Sequence, residues 1–287
     1  MQRIVPRLHR TAWQKFQQQP MGMCGIYLLV ALALFVSLSG FFSPFRYDEI
    51  HLIAKNHPPS LRFWFGTDDL GRDVLIRTSY GAYISLCIAL ATVIIDLILG
   101  FLIGSLAALS GKKTGECLMR FLDIFYSIPT LLIAILLSVI LGSGFFSIVL
   151  AINLISWITM ARIVRGQLLL LKEMDFVMAS RSLGASSSRI LFTHLLPNTW
   201  GPIMLTLTMT IPSAIFSEAF LSFLGLGIQA PMASWGTMAH EGLAAFQYYP
   251  WRLFFPAAFI SITMLAFYLI GEGLKKSFNN APAMNLP

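Results

Sequence analysis

The sequence contains few charged residues. Asp, Glu, Lys and Arg make up only 11% of its 287 residues, whereas 56% are hydrophobic. A soluble globular domain carries about 25% charged residues, so a chain folded around one aqueous core is excluded. Long apolar stretches must account for the composition, which favours a protein that crosses a membrane several times.

Cysteines and catalytic patterns are also scarce. The three cysteines, Cys24, Cys87 and Cys117, form neither a CxxC pair nor a metal-ligand spacing. We expect them to be unpaired thiols that act as small packing residues. The sequence shows no Ser/His/Asp triad, no paired carboxylates and no metal-binding cluster. It therefore predicts no catalytic residue, no metal site and no enzyme activity.

The N-terminal region lacks acidic residues and a signal-peptide cleavage site. Residues 1–20 carry Arg3, Arg7, Arg10 and Lys15, and the apolar run that follows is long enough to span a bilayer. A cleavable signal has a shorter apolar core and a small-residue cleavage site. We therefore expect a cytoplasmic tail at 1–20 and a retained first transmembrane helix at 21–43.

Six apolar runs are long enough to cross roughly 30 Å of hydrocarbon. Because helices satisfy their own backbone hydrogen bonds in lipid, the sequence predicts an all-α membrane protein with about six transmembrane helices. The runs lie at 21–42, 82–109, 121–141, 145–161, 200–223 and 253–270.

Lysine and arginine predict the orientation of these helices. They are concentrated in the N-terminal tail, in the loops after the second and fourth runs, and near the C-terminus, whereas 142–144 and 225–251 have none. The positive-inside rule then places both termini, including a tail at 276–287, in the cytoplasm. The charges at 44–81 nearly balance, so this segment is expected to form an external lobe. Because topology explains the net charge of +7, we expect no nucleic-acid partner.

The stretch at 157–198 is too long and too regular for a simple connector. Its pattern predicts short helices at 176–183 and 187–195, a tight turn at Gly184, and a helix end at Pro197. The residues alone leave open a docking site for a partner protein or an amphipathic helix on the membrane surface. The apolar residues that a partner groove could bury are Phe176, Val177, Leu183, Ile190 and Leu191.

This stretch resembles the EAA loop of ABC importer permeases. In that pattern a Glu-Ala-Ala triplet is followed after three residues by glycine, and after nine more by Ile-x-Leu-Pro. Here 178–180 (MAS) occupies the triplet, Gly184 the glycine and 194–197 (HLLP) the end. The spacing is retained, while Met178 replaces the glutamate, Ser180 the second alanine and His194 the isoleucine.

Further motifs are similar to those of dipeptide, oligopeptide and nickel permeases. They are FGTDDLGRD at 65–73, MRFLD at 119–123, SIP at 127–129, SEAFLSFLGLG at 217–227, SWG at 234–236 and GEGL at 271–274. The resemblance covers about residues 60–277. It implies the fold of a type I ABC importer transmembrane domain at 82–275, with an external lobe between the first two helices and a cytoplasmic coupling loop at 162–198.

The resemblance also implies a function, which is that of a permease subunit in a bacterial inner membrane forming half of a pathway for di- or oligopeptides. The expected partners are a second homologous permease, two cytoplasmic ATPases, an external solute-binding protein and membrane lipid. ATP would be bound by the ATPases, so this chain needs no cofactor. Nickel or another small solute is the alternative substrate. An ATPase-independent channel or secondary transporter is the alternative class.

The same resemblance assigns candidate site residues. Those expected to couple the chain to an ATPase are Phe176, Val177, Met178, Ala179, Ser180, Leu183, Gly184, Ala185, His194 and Pro197. Asp96 and Glu218 are candidates for the translocation path, because acidic residues inside apolar spans usually face a bundle interior or water. Asp96 could instead pair with the sister permease or be protonated, and Glu218 could instead anchor the loop that follows it.

Overall fold

The computed structural model describes residues 12–279, and the regular structure in that range is helical apart from one isolated bridge between Thr67 and Asp73. Arg3, Arg7 and Arg10 of the predicted N-terminal tail, and residues 280–287 of the predicted C-terminal tail, lie outside the described range. The helices are α1 (Ala12–Gln17), α2 (Pro20–Phe42), α3 (Val74–Leu109), α4 (Lys112–Tyr126), α5 (Thr130–Leu141), α6 (Phe145–Lys172), α7 (Asp175–Ser182), α8 (Ser187–Ile190), α9 (Leu196–Leu221), α10 (Trp235–Ala244) and α11 (Trp251–Asn279).

Among the described helices, five are long and apolar enough to cross a membrane on their own. They are α2, α3, α6, the continuous helix at Ser187–Leu226 that contains α8 and α9, and α11. A sixth span is possible if α4 and α5, which meet at a bend of 72°, cross as one broken element. The observed helices therefore confirm the prediction of an all-α chain with about six spans.

The α4–α5 bend corrects the single span predicted at 121–141. Pro129 lacks an N–H group and disfavours the helical conformation at Ile128, so the helix stops at Tyr126 and resumes at Thr130. In addition, α4 begins with Lys112 and Lys113 and is strongly amphipathic rather than apolar. The predicted basic loop is thus a helix with one polar face.

The central packing is between α3 and α6, where two glycines let the backbones approach closely. A Cβ atom on Gly100 would lie 2.5 Å from Cβ of Met160, and one on Gly104 would lie 2.6 Å from the carbonyl oxygen of Ala161. The GxxxG step that the sequence shows at these positions therefore serves helix packing. In the same way, Gly25 brings α2 against α11.

The helices on either side of the predicted coupling loop differ from the sequence prediction. Helix α6 continues past the predicted span at 145–161 to Lys172, so the first part of the loop predicted at 162–198 is helical. Pro197 does not end a helix, since a π-helical turn at Leu191–Leu195 leads directly into α9. The wider turn accommodates the missing N–H of proline, and the Asn198 side chain donates to the carbonyl of His194 at 2.7 Å.

Residues 43–73 connect α2 to α3 and form a small folded lobe. Helix α3 starts at Val74, well before the span predicted from residue 82. Asp73 caps this helix, because its carboxylate accepts from the Leu75 N–H at 2.8 Å and from Ser43 Oγ at 2.5 Å. The lobe is therefore joined directly to the first turn of α3.

Candidate functional site

The predicted coupling element consists of α7, the turn at 183–186, α8 and the π-helical turn that follows. Gly184 has φ +81°, a backbone conformation that residues with a Cβ rarely adopt. A Cβ atom there would meet nothing within 4 Å. After the turn, Ser186 accepts from the Arg189 N–H and caps α8. The sequence at 184–186 thus reverses the chain between two short helices, as predicted.

One face of the element packs into the helix bundle. Val177 is 1% exposed and Leu195 is fully buried, and both lie in a cluster with Val164 and Leu168 of α6. Ile190 and Leu191 are buried in the same cluster. The sequence suggested that a partner groove could bury Val177, Ile190 and Leu191. This suggestion is wrong, because the three side chains are already buried within the chain itself. They hold the element against the bundle.

The opposite face of the element is apolar and exposed. Leu183, beside the glycine turn, is 89% exposed, Met178 is 49% and Phe176 is 40% exposed. Ala179 and Gly184 are exposed between them, whereas Ala185 is half-buried and packs on the core. Exposed apolar side chains beside small residues form a surface that another protein could approach closely.

Two departures from the EAA pattern meet in the fold. Ser180 Oγ lies 3.2 Å from Nε2 of His194, and the ring of Phe176 lies 6.2 Å from the imidazole. These contacts join α7 to the π-helical turn across the coupling element. Pro197 lies on an exposed side of α9, one turn beyond His194.

The basic residues near the loop brace helix ends. Arg162 donates to Asp123 of α4 at 2.6 Å and stacks over the ring of Tyr126 at 4.2 Å. Lys172 Nζ donates to the carbonyl of Ala108 at the end of α3, at 2.6 Å. Besides a topological role, these charges therefore have specific structural partners.

Asp96 lies inside the bundle and joins α3 to α6. It is 2% exposed and accepts a hydrogen bond from Ser156 Oγ at 2.5 Å. One turn away, Asn153 Nδ2 donates to Thr92 Oγ1 at 3.2 Å. We call Thr92, Asp96, Asn153 and Ser156 the polar ladder. The sequence analysis identified Asp96 but missed its partners. Thr92 and Asp96 are four residues apart on α3, and Asn153 and Ser156 are three residues apart on α6, so the members of each pair lie on one helix face.

A cavity of about 200 Å³ opens beside the ladder. Thr92 and Ser156 line it directly, and hydroxyl side chains from α4, α5, α6 and α9 supply most of the remaining polar wall. The hydroxyl-bearing residues of the lining are Thr92, Tyr126, Thr130, Ser156, Thr159, Thr210, Ser213 and Ser217.

Glu218 has a different environment from Asp96. It is fully buried and accepts hydrogen bonds from Ser85 Oγ at 2.9 Å and from Ser222 Oγ at 2.8 Å. Ser85 in turn accepts from the backbone N–H of Trp235 at the start of α10. Glu218 does not line the cavity, so the structure favours the anchoring role over contact with a solute.

An ionic cluster ties the lobe to α3, α10 and α11. Asp68 contacts Arg72 at 2.6 Å and Arg77 at 3.0 Å, and Arg77 contacts Glu241 at 3.1 Å. Arg252 of α11 reaches Asp69 of the lobe at 3.2 Å. Burial raises the pKa of Glu241, while Arg72 opposes the shift. Sequence reasoning missed the cluster, because its members are separated by up to about 180 residues and carry no common motif.

No group of three His, Cys, Asp or Glu side chains that could hold a metal ion occurs within residues 12–279.

Comparisons with known sequences cover nearly all of the chain. The family described as binding-protein-dependent transport system inner membrane component matches residues 100–281, and the N-terminal TM domain of oligopeptide transport permease C matches residues 8–59. The oligopeptide transport system permease protein OppC of Bacillus subtilis (strain 168) is 48% identical, over 95% of this chain and 89% of that protein. The dipeptide transport system permease protein DppC of the same strain is 45% identical, over 93% and 84%. OppC of Escherichia coli (strain K12) is 38% identical, over 94% and 91%.

The fold is also found among solved structures. A chain of the MetNI methionine ABC transporter, in an inward-facing conformation, superposes with a TM-score of 0.56 at 18% sequence identity. The match covers 68% of this chain and 93% of that chain. This likeness, together with the family match, confirms the predicted class of transmembrane domain.

Proposed function

This chain belongs to the family of binding-protein-dependent transport system inner membrane components, and from that premise we propose that it is a permease subunit of a bacterial ABC importer for di- or oligopeptides. Members of this family work with ATPases and a solute-binding protein. The peptide substrate is supported by the 48% and 45% identity to an oligopeptide and a dipeptide permease. The relatives are permease proteins, so we assign no catalytic step to this chain.

The observation that carries the proposal is the coupling element. A short helix pair beyond the end of α6 presents Phe176, Met178 and Leu183 to the outside, while Val177 and Leu195 fix it to the bundle. Such an element transmits force, since a push on the exposed face moves α6 and α9 through the buried face. An ATPase-independent channel has no need for it, which disfavours that alternative.

The proposal extends to the assembly. We assign two ATPases, which bind ATP, to the side of the membrane where α7 lies, and this side is the cytoplasm. A second homologous permease completes the pathway, so that the transmembrane part is a heterodimer, and the external binding protein docks on the opposite side, near the lobe. Both chain termini then lie in the cytoplasm. This orientation agrees with the positions of the lysines and arginines.

The substitution Gly184→Asp tests the coupling role. The new side chain has open space, so the chain is expected to fold and insert, at a cost of about 1–2 kcal/mol for the left-handed backbone. The charged side chain would, however, project from the face that meets the ATPase. We expect ATP-driven peptide uptake to fall at least tenfold in proteoliposomes that contain the complete transporter, while membrane insertion remains unchanged.

Gly225→Asp is the matched control. Gly225 also has a positive φ, of +81°, and equally open space around it, but it lies at the far end of the long helix that follows the coupling element. This variant should keep its uptake. Normal uptake by Gly184→Asp, or an equal loss in both variants, would contradict the coupling role. Purification of an active single chain without a sister permease or ATPases would contradict the assembly.

A further inference from the structure

The polar ladder places a buried carboxylate beside the cavity without a positive partner. Asp96 is 2% exposed, and its hydrogen bond from Ser156 is neutral. Among the described residues none forms an ion pair with it, whereas Asp68 at the lobe contacts two arginines. A carboxylate that is buried without a counter-charge is costly to keep in a membrane domain. Packing alone would be served as well by an uncharged residue.

A second buried group of the ladder also lacks a partner. Asn153 donates through Nδ2 to Thr92 and to the carbonyl of Val149, but its Oδ1 atom is buried and accepts no hydrogen bond from the described residues. Buried acceptors of this kind are rare and call for a specific explanation. Asp96 of α3 and Asn153 of α6 thus both have side-chain oxygens that could accept a further hydrogen bond.

The cavity beside the ladder is lined by groups that suit a donor-rich cation. Hydroxyl oxygens accept hydrogen bonds, and an ammonium group carries three N–H donors and no acceptor. The volume of about 200 Å³ is below the roughly 300–1,000 Å³ of sites that enclose a whole drug-sized ligand. The space therefore suits one end of a solute better than an entire peptide.

We propose that Asp96, Ser156 and the hydroxyl-lined cavity beside them bind the positively charged amino group of the transported peptide during its passage. Ser156 lines the cavity and donates to the carboxylate, so a rotation of its side chain would free that carboxylate oxygen for the ammonium group. This inference rests on the proposed function, because it names the part of the peptide that this permease contacts.

The charge preference of the cavity can be measured without any peptide. Thr159 lines the cavity and is exposed, so Thr159→Cys in the complete transporter, with the three native cysteines replaced by serine, offers a reactive thiol. The probes are two methanethiosulfonates, one bearing trimethylammonium and the other sulfonate. Each rate is first divided by the rate of the same reagent with a free thiol. On this scale we expect the cationic reagent to react about tenfold faster than the anionic one, and we expect Asp96→Asn to abolish the preference. Asp96→Glu should retain it.

Gln247→Cys provides the control. Gln247 is exposed between α10 and α11, outside the cavity, so Asp96→Asn should not change its charge preference. Three results would each overturn the proposal. They are equal rates of the two reagents at Thr159→Cys, a charge preference that survives Asp96→Asn, and no reaction from either side of the membrane. The last result would show that aqueous cations do not reach the site.

Transport then separates this inference from the proposed function. With trialanine loaded on the binding protein, Asp96→Asn should lower uptake at least tenfold. ATP hydrolysis stimulated by the binding protein should stay within about twofold, because the hydrogen bond of Asp96 is to Ser156 of α6 and not to the coupling element. If the unsubstituted transporter moves no trialanine, the proposed function fails regardless of the labelling. If it moves trialanine and Asp96→Asn does so equally well, only the ammonium site fails.

Discussion

Two buried acidic side chains of this protein have different surroundings and therefore different roles. Asp96 and Glu218 are both buried acids inside apolar helices, and the sequence alone could not separate them. Glu218 receives hydroxyl donors from Ser85 and Ser222 and links α9 to the start of α10. Asp96 has Ser156 on one side and a cavity close by. The role depends on the hydrogen-bond partners. Ser156 and Ser85 come from other helices, so the sequence alone does not show which acid each of them contacts.

Asp73 gives a prediction about pH. Burial raises the pKa of its carboxyl above the ordinary value of 3.8, while hydrogen bonds from Ser43 and the Leu75 N–H act in the opposite direction. The folded state therefore holds this proton to higher pH than the unfolded state does. The stability that Asp73 contributes is complete below pH 3.8 and is lost as the pH rises through the raised pKa. The loss is about 1.4 kcal/mol for each pH unit that separates the pKa of the folded state from that of the unfolded state.

The measurement compares the wild type with Asp73→Asn by melting temperature in detergent between about pH 4 and 8. Asparagine can still accept from the Leu75 N–H but does not titrate, so the advantage of the wild type should shrink as the pH rises. Ser43→Ala removes one hydrogen bond that lowers the pKa of Asp73, and it should move this decline to higher pH. A difference that is constant, or that grows with pH, would refute the assignment.

At the scale of helices, hydropathy identified the elements but not their ends. The runs at 21–42 and 253–270 lie within α2 and α11 as predicted, because the middle of each helix is apolar. Helices α3 and α6 extend beyond the apolar runs at 82–109 and 145–161, so hydropathy did not locate their ends at Val74 and Lys172. Pro197 was misread because a π-helical turn accommodates it.

The Ser180–His194 contact leads to a prediction for the coupling element. This hydrogen bond joins α7 to the π-helical turn, and its loss by Ser180→Ala should cost about 0.5–1.5 kcal/mol. The exchange of α7 backbone amides with deuterium should then become roughly 2- to 10-fold faster, since local opening limits it. Exchange in α10, which packs near the opposite end of α3, should not change.

Ser182→Ala is the matched control for this prediction. Ser182 lies on the same helix, but its hydroxyl donates only to the carbonyl of Met178 in its own helix and is exposed. It should leave the exchange of α7 within about twofold of the wild type. Equal acceleration by both substitutions would show that helix propensity, and not the contact with His194, holds the element.

At the scale of the whole molecule, the ionic cluster connects parts of the chain that are distant in sequence. The lobe supplies Asp68 and Arg72, α3 supplies Arg77, α10 supplies Glu241 and α11 supplies Arg252. The separate segments do not predict that they converge, because the charges of each segment show no pattern that names a distant partner. The family resemblance marked 65–73 as a motif, and the structure gives a physical reason for it: the carboxylate of Asp68 neutralises two buried arginines.

Asp68→Asn tests this interpretation at the same scale. Asparagine can keep the acceptor that Asp68 Oδ1 offers to the Leu70 and Arg72 N–H groups, so the substitution removes mainly the charge. Two buried guanidinium groups then lose a partner, which should cost on the order of 3 kcal/mol. We expect the melting temperature in detergent to fall by several degrees. Trypsin should cut the lobe at Arg46, Lys55 or Arg62 faster than in the wild type.

A double substitution and a control complete the test of the cluster. Asp68→Asn combined with Arg72→Gln should recover part of the lost stability, because it removes one of the uncompensated charges along with the carboxylate. Asp48→Asn breaks the exposed Arg46–Asp48 pair in the same lobe and should have almost no effect, since exposed pairs contribute about 0–1 kcal/mol. If the double substitution is less stable than Asp68→Asn alone, charge balance does not hold the lobe. If Asp48→Asn loosens the lobe as much as Asp68→Asn does, the lobe responds to any loss of charge, and the buried cluster is not its attachment to the bundle.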